Sequence, residues 1–282
     1  MKIPRGRLVL GCLILGVAAL VLLMLLRRPS NERHWSPDQQ RLAHAIVRYP
    51  AVRVEDVRNF TYGDDGSYKP RYETRQYDLR ELDSVWFVVE RFGSVPGIAH
   101  TFLSFGFGDE FLAVSVEVRK EQGETYSALK GLFREYEIMY VVADERDLIG
   151  LRTNIRKDQV YLYPVSTTRG KARKVFLDMM LRANSLADQP EFYNTLTNTC
   201  TTNIVDHVNT IAPSRVPFSF RVLLPAYSDK LAYDLGLIPN REPFEATQER
   251  HRIDPIAQSR GITNDFSRLI RERGGSSEAG AP

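Results

Sequence analysis

The sequence predicts an α+β fold, an antiparallel sheet with packed helices, carried behind a single N-terminal transmembrane helix. Three observations predict it. A run of apolar and small residues without a charge spans 8–26. Three β-branched and aromatic runs follow at 84–92, 98–107 and 111–119, with a glycine-rich turn between the last two. An amphipathic helical stripe then covers 171–186, and a helix start falls at Cys200.

At about 1.5 Å per helical residue, 8–26 reaches roughly across a hydrocarbon core about 30 Å thick. Lys2, Arg5 and Arg7 precede it, and Arg27 and Arg28 follow it. A cleaved signal peptide has a shorter apolar core and a small-residue cleavage site, and neither is visible. Val9, Leu10 and Gly11 before Cys12 have lipobox-like composition. The apolar stretch ahead of Cys12 is too short for that role and continues past it, so Cys12 reads as membrane-buried. Lysine and arginine nearly balance on the two flanks. A short tail ahead of a large domain stays inside, which puts the domain in the periplasm of a bacterium, held at the inner membrane. The predicted division is 1–28 cytoplasmic tail and anchor, 29–53 linker and short helix, 54–230 periplasmic domain, and 231–282 a partly disordered extension.

The whole chain carries +3, and the five residues flanking the apolar run carry +5, leaving −2 for the rest. No basic stripe interleaved with aromatics occurs in the domain, which excludes a nucleic-acid partner. Hydrophobic residues at 43% and aromatics at 10% are enough for a packed core. Only Cys12 and Cys200 exist, so the domain holds one thiol and no internal disulfide. In an oxidising compartment such a thiol is a liability unless it is buried or used.

In chain order, 29–37 reads as a polar linker, and 38–47 as a short amphipathic helix on Leu42, Ile46 and Val47. Residues 59–77 read as a loop or ragged edge strand. Gly106, Gly108 and Asp109 suit a hairpin connection between the second and third strands. Leu129, Leu132, Phe133 and Tyr136 predict a helix over 126–137, and 138–142 and 160–164 are further strands. Val175, Phe176, Met179 and Leu186 face inward on the 171–186 helix, where Met179 and Met180 are core rather than a cofactor box. A helix from Cys200 to about 209 ends before Pro213 and Pro217. From 240 the chain turns polar and loop-like, and 274–282 is a disordered tail.

Cys200 carries the chemistry. Asn198 and Thr199 are capping residues and apolar helical positions begin at Ile204, so the sulfur sits in a first helical turn. Unpaired N–H groups and the helix dipole there favour a thiolate. A buried structural cysteine is the alternative on local context. A nucleophilic thiol needs a base. His34 lies in the linker, His44 on the short first helix and His251 in the polar C-terminal region. His207 stands two turns after Cys200, about 10.5 Å along the axis and too far to exchange a proton, and reads as partly exposed. His100 remains, inside an apolar strand where a polar ring needs a partner. A turn centred between Gly108 and Asp109 sets His100 opposite Glu117 on one sheet face, and a carboxylate there orients an imidazole. A register shift of two would substitute Ser115 or Arg119. Asp144, Glu145 and Asp147, with Arg146 among them, read as a solvated acidic loop. No nucleophile elbow, P-loop or zinc motif occurs, and no cofactor or metal is expected.

The segments at 97–105 (GIAHTFLSF), 112–117 (LAVSVE), 140–147 (YVVADERD), 151–154 (LRTN) and 192–202 (FYNTLTNTCTT) together resemble the Lnb N-terminal periplasmic domain family. The likeness spans roughly 54–227. It implies a thiol-dependent fold related to NlpC/P60 and papain-like proteins in circularly permuted order, with the histidine strand ahead of the cysteine helix, as His100 precedes Cys200. It also implies lipoprotein N-acyltransferase chemistry, in which a fatty acyl chain moves from a phospholipid to a lipoprotein's N-terminal cysteine. The family motif often reads Asn-Asn-Cys where this chain has Asn198, Thr199 and Cys200. The expectation is therefore a membrane-anchored thiol acyltransferase. Cys200 is its nucleophile, His100 its base and Glu117 its orienting carboxylate, while Asn198, Thr199 and Thr201 support substrate or oxyanion. The alternatives are a cysteine amidase or peptidase acting on cell-wall or peptide substrates, and a non-catalytic binding or assembly factor.

Overall fold

The computed structural model describes residues 5–63, 65–92, 97–212 and 215–272. Helix α1 (Arg5–Leu26) comes first. Strands β1 (His44–Arg48), β2 (Ala51–Arg58), β3 (Thr61–Tyr62), β4 (Tyr68–Lys69), β5 (Tyr72–Asp78), β6 (Leu82–Arg91), β7 (His100–Phe107) and β8 (Glu110–Arg119) follow. Next are α2 (Ala128–Leu132), β9 (Glu137–Asp144), α3 (Glu145–Gly150), β10 (Gln159–Pro164), α4 (Arg169–Asp188) and α5 (Cys200–Ile211). The short helices α6 (Phe220–Leu223), α7 (Ser228–Asp234), α8 (Phe244–Arg250), α9 (Asp254–Arg260) and α10 (Phe266–Leu269) complete the order.

The main sheet runs β1-β2-β9-β8-β7-β6-β10, and β5 also pairs with β2. It is mixed rather than antiparallel, because β2 meets β9 in parallel where Arg58 pairs with Ala143. Those strands are joined by a long excursion, so no tight hairpin dictates their direction. The β7–β8 hairpin is dictated locally. Gly108 takes φ +63°, a left-handed conformation that glycine adopts without a Cβ clash, and the two-residue loop pairs Phe107 with Glu110. Phe102 then faces Ser115.

Alternation along the strands divides the core in two. Leu103, Phe105 and Phe107 point to one face, where Phe176, Met179 and Met180 of α4 and Cys200 and Ile204 of α5 pack. Phe102, Met139 and Val141 point to the other, against Leu148, Ile149, Ile256 and Phe266.

Several elements differ from expectation. The predicted helix at 38–47 is a 3-10 turn (Pro37–Gln39) followed by β1, because Val47 pairs with Val52 across a hairpin. His44 is therefore on a strand. Much of 59–77 is paired strand, with β5 lying along β2. The 126–137 helix shrinks to α2, and Glu137 opens β9. The polar stretch after 240 holds α8, α9 and α10, whose few apolar residues, Ile256, Ala257 and Phe266, fill the second core. Each of these helices is too short to show a periodic stripe. The acidic group is not a solvated loop. Asp144 caps α3, and Glu145 and Asp147 are fully buried. Arg58 grips Asp147 through two bonds of 2.9 Å, and Arg271 grips Glu145 at 2.6 and 2.7 Å. His207 is buried as well, bonded to Tyr140 Oη at 2.6 Å and Asp178 at 2.7 Å.

The segment after α1 is strapped to the domain and is not a free linker. Arg27 pairs with Glu135, and Ser30 N donates to Glu137 at 3.0 Å. Asn31 Nδ2 donates to the carbonyls of Leu186 and Ala187 at 3.0 and 2.8 Å, and Arg33 meets Glu137 at 2.7 Å. Residues 5–26 form a 22-residue helix, but many of its side chains, Cys12 included, lie outside the described residues, as does the 274–282 tail. Among the described residues, no helix is long and apolar enough to cross a membrane.

Phe266 tests the packed C-terminal helices. Phe266→Ala is expected to lower the unfolding free energy in urea by about 3–5 kcal/mol, the usual cost of emptying a buried aromatic site.

Candidate active site

Cys200 opens α5. Thr199 caps it, its hydroxyl accepting from Thr202 N at 3.2 Å while its own N–H donates to Thr202 Oγ1 at 2.7 Å. The N–H groups of Cys200 and Thr201, at the first two helical positions, have no carbonyl one turn back within the helix. They remain available to a developing negative charge beside the sulfur.

His100 begins β7 and shares its sheet face with Ser115 and Glu117, whereas Cys200 arrives on a helix packed against the other face. The two groups come together at the strand end, where both line one cavity and their charges are coupled. Burial pushes the Cys200 thiol up, but the charge of His100, its hydrogen bond, and bonds from the Thr101 N–H and hydroxyl outweigh it and bring the thiol down to about 7. Burial pushes His100 down, and Cys200 and Glu117 more than reverse this, so the ring holds its proton above the ordinary histidine range. A thiolate–imidazolium pair is thus within reach near neutral pH.

The other ring nitrogen fixes the tautomer. His100 Nε2 lies 2.7 Å from Ser115 Oγ, and Ser115 Oγ donates to Glu117 Oε1 at 3.0 Å. A hydroxyl that gives its proton to the carboxylate must accept from Nε2–H, so Nδ1 is left for the sulfur. Glu117 Oε1 is 3.9 Å from Nε2. Glu117 therefore acts on His100 through Ser115, which reaches the ring diagonally without any change of register.

Arg152 holds this arrangement from behind. It lies in five residues of wide π-helical backbone (Leu151–Ile155) that continue α3. Its Nε donates to Glu90 Oε2 at 2.6 Å, Nη2 to Glu117 Oε1 at 2.9 Å and Nη1 to Leu148 O at 2.7 Å. Glu90 is the cross-strand partner of His100 on β6. Burial pushes both glutamates up, and Arg152 pulls each below its ordinary range, so both stay ionised around the imidazole. Asp158, raised to about 7 by burial and by its hydrogen bond to Glu90, completes the cluster.

A cavity of about 410 Å³ opens over the pair, lined by Cys200, His100, Glu117 and Arg152 and walled by Tyr126, Tyr193 and Leu224. Lys120 and Arg156 also border it. Thr199 lines the cavity, but Asn198 braces the preceding turn, donating to Phe192 O at 2.9 Å and accepting from Asn203 at 2.8 Å. Thr201 Oγ1 lies 3.8 Å from the sulfur, yet its side chain borders a different cavity. Among the described residues, no cluster of His, Cys, Asp and Glu could hold a metal ion.

Nothing local in the sequence points to Thr101, Glu90 or Arg152 as parts of this site, and Ser115 is visible there only as a register alternative to Glu117. The signal for Ser115 was the strand alternation that puts it on the His100 face.

The fold and site together define a class: a mixed α/β domain with a low-pKa thiol at a helix start, paired with a strand histidine. The chain belongs to the Lnb N-terminal periplasmic domain family, which residues 68–226, more than half of the sequence, match. It thus carries a domain of a periplasmic family. No curated protein and no solved structure matches it.

The pair sets a pH dependence for the thiol. Because the folded thiol pKa is depressed, alkylation of native Cys200 by iodoacetamide is expected to reach half its maximal rate near pH 7. In His100→Ala the midpoint should move up, since burial is then opposed only by the Thr101 groups. An unmoved midpoint would show that His100 does not stabilise the thiolate.

Proposed function

We propose that this protein is a membrane-anchored periplasmic thiol acyltransferase of the lipoprotein N-acyltransferase kind. The observation that carries the proposal is the Cys200–His100 pair, with Nε2 fixed by Ser115 and Glu117. The thiolate attacks the ester carbonyl of an acyl donor, and the oxyanion is met by the free N–H groups at the start of α5. Imidazolium Nδ1–H protonates the departing alkoxide, leaving a Cys200 thioester and neutral His100. An amine then attacks the thioester while His100 takes its proton. An amide forms, and the thiolate–imidazolium pair returns. The histidine strand preceding the cysteine helix fits a permuted NlpC/P60-like order.

Two features favour a phospholipid donor and a lipoprotein acceptor at the inner membrane. The apolar run of α1 is read as the single anchor, and the strap of residues 27–33 would then hold the domain close to the bilayer. The cavity mouth is also rimmed by exposed apolar side chains. Tyr126 is 43% exposed and Leu224 42%, and both line the cavity.

A second reading is a cysteine amidase on cell-wall peptides, with water in place of the amine. Lys120 and Arg156 on the cavity wall favour it, since they suit a carboxylate-bearing peptide.

Cys200→Ala in cells is expected to leave the N-terminal amines of lipoproteins unacylated, read by mass spectrometry. His100→Ala should slow the transfer by about 100-fold or more, the lower range of general acid–base contributions. Unchanged N-acylation in both variants would overturn the proposal. Cleavage of peptidoglycan fragments that is lost in both would favour the amidase.

A further inference from the structure

A second and larger cavity, about 550 Å³, lies on the far side of Thr201 from the sulfur. One wall is the face of α5 formed by Thr201, Ile204, Val205, Val208 and Ile211. The sheet contributes Val85, Phe87 and Leu103, α4 contributes Ala172 and Val175, and α7 contributes Leu231. Protein interiors pack densely and leave few voids larger than a water molecule. The cavity is lined mostly by aliphatic side chains, with Ser166, Thr167, Thr168 and Ser228 among the polar exceptions, a lining that suits an apolar ligand. The span from Thr201 to Ile211 is roughly 15 Å at 1.5 Å per helical residue, the length of an extended acyl chain.

Charge at the mouth narrows the ligand further. Lys171 and Arg215 both border the cavity and are exposed. The Arg215 guanidinium donates to Leu235 O, and among the described residues neither cation meets a carboxylate. Among the described residues, no aspartate or glutamate lines the cavity. The cavity is also separate from the thiol, because Thr101 Oγ1 and Thr201 Oγ1 close on each other at 3.0 Å between them.

We propose that this cavity binds a single-chain anionic amphiphile, with its acyl chain along α5 and its carboxylate or phosphate head between Lys171 and Arg215. The site is distinct from the acyl-transfer chemistry and does not depend on Cys200.

The test uses the full chain in phosphatidylcholine nanodiscs and a palmitate carrying a diazirine on its chain, with photolabelled peptides mapped by mass spectrometry. Labelling is expected at residues 204–211 and 231–237, and a cationic amine of the same chain length should label about tenfold less, as the loss of roughly 1.4 kcal/mol implies. Val208→Trp, which fills the void, should abolish labelling there. Lys171→Glu with Arg215→Glu, at exposed positions that leave the core intact, should reduce it by about tenfold. Competition by unlabelled palmitate against palmitoyl lysophosphatidylglycerol identifies the preferred head. Cys200→Ala should label as the parent does, so failure of the thiol chemistry and failure of this site are read separately. Absence of label at 204–211, or label indifferent to Val208→Trp, overturns the site. Label that survives the double charge reversal, or that the amine matches, overturns the anionic head.

Discussion

The site depends on one buried cation. Arg152 spans the gap between β6 and β8 and bonds both Glu90 and Glu117, the two carboxylates that flank His100. Burying three charges is costly unless each is matched in geometry and hydrogen bonding. Here the guanidinium uses Nε, Nη1 and Nη2, and its plane lies over the Phe102 ring at 5.0 Å. That ring also stacks on His100 at 5.7 Å. Sheet, π-helical segment and imidazole are thereby fixed by a single side chain. Without it, Glu117 would lose its guanidinium partner and Glu90 would keep only the more exposed Arg156, at 3.4 Å. With it, they are held ionised and support the imidazolium that in turn lowers the thiol.

How legible this was depended on the distance over which each feature is specified. The β7–β8 register could be read because a two-residue loop with Gly108 leaves one pairing, and the pairing of Phe102 with Ser115 follows from it. The start of α5 could be read from Thr199, because a cap is local chemistry. Arg152 and Glu90 lie 62 positions apart, and no local pattern joins them. The same holds for Asp147 with Arg58, 89 positions away, and for Glu145 with Arg271, 126 away. Charged residues read alone look solvated, and only distant partners make their burial affordable. Residues 38–47 misled for a different reason, since the spacing of Leu42 and Ile46 fits a helix turn as well as a strand pair.

The helix that carries the thiol has different surroundings on its two sides. At its first turn it meets His100 and a cavity with ionised walls, and farther along it lines an aliphatic chamber. Thr101 and Thr201, joined across β7 and α5, form the partition. A thiol activated near neutral pH also becomes more open to oxidation. Burial of Cys200 at 7% exposure limits that hazard while the cavity still admits a substrate.

The central claim, that Cys200 carries an acyl group during turnover, is tested most directly by intact-mass analysis of the full chain isolated rapidly from native membranes. The account predicts a fatty-acyl mass increment on Cys200 that neutral hydroxylamine removes and that Cys200→Ala lacks. A Cys200 found entirely as free thiol, even with the acceptor amine depleted and phospholipid in excess, would contradict it.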